Sequence, residues 1–195
     1  MEDKQNIPQG KQARPGFAFF DWLQMTLLCI LAAILLFNCV ARLSRVFGHS
    51  MDNTLQEGQL LVIRSLGYTP KQGDIVVLND TTAEFLGGPD GESLIKRVIA
   101  TEGQTVDIDY ESSTVYVDGE PLDEPYIKEP MWWSADYLMQ CTHWVIPEDH
   151  IFVMGDNRNH STDSRHDWLG PIHEDYVLGK ASFCLFPPDK FGVIR

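Results

Sequence analysis

Two patterns of apolar positions divide this chain. From Leu23 to Ala41 the sequence is apolar, broken only by Gln24, Thr26 and Asn38. A helix built on such a run has no polar face, so it needs apolar surroundings on every side. Its length is about what a helix needs to cross roughly 30 Å of hydrocarbon. A cleaved leader would have a shorter apolar stretch, about 7 to 15 residues, and a small-x-small site. Cys39-x-Ala41 is a poor version of that site. A buried helix is the remaining alternative. The expectation is a retained transmembrane helix over residues 21–43. Residues 1–20 carry Pro8, Gly10, Pro15 and Gly16 and read as a disordered tail. Lys4, Lys11 and Arg14 precede the span and Arg42 and Arg45 follow it. That slight positive-inside bias places the tail in the cytoplasm and residues 44–195 outside it.

After the span the pattern is mostly strand. QLLVIR (59–64), DIVVLN (74–79), SLIKRVIA (93–100), QTVDID (104–109), TVYVDG (114–119), IFVMG (151–155) and LGKASFCLF (178–186) are short, β-branched and bounded by turn residues. Asp118-Gly119 is a hairpin turn signal. The predicted fold is therefore a mostly β domain, 44–195, behind one N-terminal helix. Pro125 to His143 is the least regular stretch, with room for a short helix near 133–140. Met131, Trp132 and Trp133 within it form either a satellite core or a surface resting at a membrane interface.

The chain has 195 residues, 44% hydrophobic and 22% charged, with a net charge of −13. So much acid argues against a nucleic-acid partner. Of the four cysteines, Cys29 and Cys39 lie in the apolar run as filler. Cys141 and Cys184 lie outside it, where a disulfide is permitted but not required.

The candidate chemistry sits in three places. Ser50, in GHSM, follows the span closely. Serine is a weak nucleophile and needs a base; without one, Ser50 is a turn hydroxyl. Lys96 lies within LIKRV, where alternation sets Leu94, Lys96 and Val98 on one face and Ile95, Arg97 and Ile99 on the other. It is either an edge lysine reaching water or a buried amine whose pKa falls until it can accept a proton. MGDNRNHSTDSRHDWLGPI (154–172) is a polar loop in which Asp156, Ser161, Asp163 and Arg165 can share hydrogen bonds. Its spacing lacks the oxygens of a calcium loop. His49 adjoins Ser50, but in an extended chain it points the other way. His160, His166 and His173 are alternative bases, with no HExxH or CxxC motif to suggest a metal.

These stretches together resemble the bacterial type I signal peptidases, membrane-bound Ser/Lys serine proteases that remove signal peptides from secreted proteins. The resemblance rests on GHSMDNTL (48–55), GDIVVL (73–78), LIKRVIATEGQTV (94–106), VYVDGEPLDEPYI (115–127) and VMGDNRNHSTDSR with GPI (153–172). Length and a single span are similar to the Gram-positive type. The resemblance implies an antiparallel β catalytic domain, anchored in the cell membrane by a single pass, with the domain extracellular. Ser50 would be the nucleophile and Lys96 its base. Ser161 would orient the Lys96 amine, and Asp163 and Arg165 would pair to hold the loop. The Ser50 N–H would serve the oxyanion hole, with no side-chain donor from Gly48. Substrate would add as a strand between RVFG and SLIK. No metal or organic cofactor is expected, and the partners are signal-peptide-bearing precursors and the lipid bilayer, with the enzyme a monomer. Asn53 stands where the family usually has proline, and Gln59 where an acidic residue is common. The rival reading is a dyad-less relative that assembles pili. The presence of Ser50, Lys96 and the 154–165 loop argues against it, and an active enzyme with dedicated substrates such as pilins stays open.

Overall fold

The computed structural model describes residues 15–35, 41–79, 94–132 and 141–194. The chain divides into two units, residues 1–38 and 39–195. In the first, helix α1 runs Pro15–Leu35. It starts earlier than the expected span because proline is well suited to the first helical position, where no N–H is required. Residues 15–20, expected in the tail, are therefore helical. At the other end Ala41, Arg42 and Leu43, expected inside the span, form a strand instead. Among the described residues no helix is long and apolar enough to cross a membrane. The α1 side chains of Phe19, Phe20, Trp22, Met25, Leu27 and Ile30 are nevertheless exposed. Thr26 Oγ1 donates to the Trp22 carbonyl at 2.9 Å, so this polar group is satisfied within the helix.

The second unit is mostly antiparallel β. Its strands are β1 (Ala41–Arg45), β2 (Leu60–Arg64), β3 (Ile75–Leu78), β4 (Leu94–Ala100), β5 (Thr105–Asp109), β6 (Thr114–Val117), β7 (Glu120–Pro121), β8 (His143–Val145), β9 (His150–Met154), β10 (Ile172–His173), β11 (Val177–Phe186) and β12 (Gly192–Val193). One sheet runs β1-β2-β11-β3-β4-β9-β10, with β12 on β11; the other runs β7-β6-β5-β8. Register shifts in β11 and between Val98 and Ala100 of β4 mark bulges that curl the larger sheet. Asp118 and Gly119 both take positive φ, 54° and 81°, as the turn joining β6 to β7 requires.

β4 is the strand that matters for function. It is central, between β3 and β9. Its residues Ile95 to Ala100 are buried on both faces, Lys96 and Arg97 included. Pairing of Val76 with Lys96 and Leu78 with Leu94 puts Lys96 on the face of Val76, Leu78 and Val98. Ile95 faces a second cluster of Ile75, Val77, Leu61 and Ile63. A third cluster joins Ile99, Phe152 and Met154 to Val106, Val117 and Trp144 of the smaller sheet. Met131 is buried in that cluster, whereas Trp132 is exposed. Trp133 and the helix expected at 133–140 lie outside the described residues. Cys141 and Cys184 are both free thiols, packed with different clusters.

Candidate active site

The segment carrying Ser50 is a closed loop between β1 and β2. Its base is tied by Val46 N–H to the Gln59 carbonyl and Gly58 N–H to the Val46 carbonyl, both at 2.9 Å. Met51 and Leu55 are buried with Leu61 and Ile63, and Leu55 N–H donates to the Met51 carbonyl at 2.8 Å. A turn closed by that bond, with apolar residues four apart, thus anchors the loop in the core and leaves Ser50, between exposed His49 and buried Met51, partly accessible. Gly48 takes φ 71°, a conformation open to glycine without strain, and turns the chain into the loop.

Lys96 reaches this serine. Its side chain is 2% exposed. Nζ donates to Ser50 Oγ at 2.8 Å and to the Ile95 carbonyl at 3.2 Å. Burial drives the amine down from 10.5 to about 8, while Asp163 pulls it up and Arg165 pushes it down further. The amine is thus in reach of neutrality under mildly alkaline conditions.

The loop after β9 forms the other wall. Val153 N–H donates to Ser164 Oγ and Ser164 N–H returns to the Val153 carbonyl, each at 3.1 Å. Gly155 N–H donates to Asp163 Oδ2 at 3.0 Å. Arg165 Nε donates to Asp163 Oδ1 at 2.7 Å, and its Nη2 to Oδ2 at 2.9 Å and to the Arg158 carbonyl at 2.6 Å. Burial opposes ionisation of Asp163, but the Arg165 charge and these donors outweigh it and hold the carboxyl at about 2. Ser161 is brought to the same place. A Cβ on Gly155 would collide with both Ser161 Oγ and the Ser50 carbonyl oxygen, so those two groups flank one point. The Ser161 hydroxyl is buried, makes no hydrogen bond to Lys96, and lies toward Asp163, whose ionised carboxyl it helps to hold.

Several residues were not singled out by sequence reasoning. Asn157 docks the two loops: its N–H donates to the Ser50 carbonyl at 3.0 Å and its Nδ2 to the His49 carbonyl at 2.9 Å. Asp156 turns away from the Asp163–Arg165 pair. It accepts from Arg97 Nε at 2.8 Å and Nη2 at 2.7 Å, and from Thr54. Arg97 also lies 3.9 Å from the centre of the Tyr126 ring. Arg158 is fully buried against Glu124. The signal was present: an arginine in a strand buried on both faces requires a buried carboxylate partner. None of the six histidines hydrogen-bonds Ser50 among the described residues. His49 faces Asp52 at 3.4 Å and Glu57 at 3.7 Å, His160 meets Trp132, His166 bonds within the Asp163 turn, and His173 meets His150. No three described His, Cys, Asp or Glu side chains converge as metal ligands.

Residues 19–186 match the family model described as signal peptidase, peptidase S26. A probable signal peptidase I-1 from Synechocystis is 37% identical, over 87% of this chain and 84% of its own. Signal peptidase I T of Bacillus subtilis is 31% identical over 96% of each chain. A signal peptidase I of Bacillus licheniformis is 32% identical over 97% of this chain and 98% of its own. With a serine seated on a buried amine and matches spanning nearly the whole length, the chain belongs to the signal peptidase family, peptidase S26, as a serine peptidase of the bacterial type I group.

Proposed function

We propose that this protein removes signal peptides from secretory precursors by a Ser50–Lys96 dyad, anchored in the cell membrane by the apolar segment at its N-terminus. The observation that carries the reading is the 2.8 Å contact between Ser50 Oγ and the buried Lys96 amine. Neutral Lys96 takes the Ser50 proton as Oγ attacks the scissile carbonyl. The Ser50 N–H receives the charge that develops on the carbonyl oxygen. When the intermediate collapses, the Lys96 ammonium returns its proton to the leaving amine. Lys96 then deprotonates a water that attacks the acyl ester and frees Ser50. During these transfers Ser161 turns its hydroxyl to the Lys96 amine, a bond it does not make in the resting geometry, and the Asp163–Arg165 pair holds the loop that bears Ser161. Precursor lies extended between residues 45–48 and the start of β4. Among the described residues Leu94 to Lys96 have no strand partner on the β9 side, since pairing with β9 begins at Arg97.

Anchoring is supported by the exposed apolar side chains of α1 and by the run from Leu23 to Ala41. The tail is cytoplasmic and the β domain extracellular, so Ser50 works near the outer face, where a signal peptide ends. The test is cleavage of a secretory precursor by the detergent-solubilised protein. Ser50→Ala and Lys96→Ala are expected to abolish it, and His49→Ala to retain it. Persistent cleavage by Lys96→Ala would overturn the mechanism.

A further inference from the structure

The Ser50 loop is gripped from two sides, and only one grip belongs to the polar loop after β9. The other is Asn53. Its φ is 92°, a left-handed conformation that proline, fixed near about −65°, cannot adopt. Asparagine tolerates this region better than most residues with a side chain. From that backbone, Asn53 Nδ2 donates to the Tyr126 carbonyl at 3.1 Å and to the Ile127 carbonyl at 3.5 Å.

The segment that accepts these bonds is itself fixed. Glu124 pairs with buried Arg158. The Tyr126 ring covers the Arg97 guanidinium at 3.9 Å. Lys128 N–H donates to the Asp156 carbonyl at 3.0 Å, and Lys128 Nζ meets Asp52 Oδ2 at 3.2 Å. An exposed loop tip is thus bonded to a strap that is itself tied into the core.

We propose that Asn53 is a positioning residue for Ser50, its side-chain amide clamping the nucleophile loop to the Glu124–Lys128 segment. Where the resemblance leads one to expect a proline ring that stiffens the loop, this chain uses a left-handed turn held by hydrogen bonds. The clamp acts together with Asn157, which holds the Ser50 and His49 carbonyls. Between them the two amides limit how far Ser50 Oγ can drift from Lys96. The inference rests on the Ser50–Lys96 reading above. It concerns the approach of reacting groups, so it bears on turnover rather than on substrate binding.

The test is precursor cleavage by the full chain in detergent, with kcat and KM determined separately over a range of pH. Asn53→Asp keeps the size and the tolerance of left-handed backbone but removes both donated bonds. Asn53→Gly keeps the backbone freedom alone. Both are expected to lower kcat about tenfold, with KM within about twofold and the pH midpoint unmoved. Asn53→Pro, the family's residue, is expected to lose at least as much, because φ must change sign. Should Asn53→Pro fail to fold, Asn53→Asp decides. Wild-type kcat in Asn53→Asp, wild-type kcat in a folded Asn53→Pro, or a rise confined to KM would overturn the clamp. Cleavage surviving in a Lys96→Ala control would overturn the dyad reading itself, and the clamp with it.

Discussion

Lys96 shows what a single buried amine costs. Its pKa in the folded protein, about 8, lies below the ordinary 10.5. Between those values the unfolded chain binds more protons than the folded one, so stability rises with pH across that window. Below about 8 the full penalty of a buried ammonium is present. Lys96→Met should therefore be inactive yet more stable than wild type at pH 7, by on the order of 3 kcal/mol, with the gain fading toward pH 10. Denaturant unfolding of both proteins at the two pH values measures this; equal stability at pH 7 would count against it. Gly155 is the other decisive position. A Cβ there meets Ser161 Oγ and the Ser50 carbonyl, so Gly155→Ala should cut kcat by about a hundredfold and also lower stability by about 1–3 kcal/mol, because a backbone oxygen must give way, measured by cleavage and melting. Lys96 stood out as one charge among aliphatic residues on its face, but that pattern fits an edge lysine equally; its burial follows from the central place of β4. Asn53 was legible only as a departure; its positive φ and its partners 73 positions away are not written locally.

At the scale of elements, the loop after β9 is a structure of buried ions rather than a solvated turn. Asp163, held at about 2, contributes stability that is complete above the ordinary carboxyl value and is lost as pH falls toward 2. Asp163→Asn leaves Arg165 buried without its counter-charge and should cost about 3–5 kcal/mol in denaturant unfolding at pH 7. A surface pair would cost far less, which separates the two descriptions. Strands β2, β5 and β6 were legible by alternation, and β3, β4, β9 and β11 as short apolar, β-branched runs bounded by turn residues. β10 and β12 were not, since two residues have no periodicity. β1 was hidden because Ala41 closes the apolar run and the expected span was carried on through Arg42 and Leu43. The polar residues of the 154–165 loop were legible as a group, and the Asp163–Arg165 pair through the resemblance, but the partner of Asp156 was not. Asp156 was grouped with Asp163 and Arg165, and its partner proves to be Arg97 on β4.

For the whole molecule, the claim is a β domain that works at a lipid surface. Carbonate extraction of cell membranes should leave the full chain in the pellet and release a chain lacking residues 1–38, because the apolar residues of α1 are the surface that lipid would cover. Release of the full chain would contradict anchoring by that segment. The central claim is that a lysine, not a histidine, activates the serine. The direct measurement is the pH dependence of kcat/KM for precursor cleavage, in wild type and in His49→Ala. A single rise centred near 8 is expected, where the Lys96 amine loses its proton, unchanged in His49→Ala. A rise centred near about 6.5, the ordinary histidine value, and lost in His49→Ala, would contradict it.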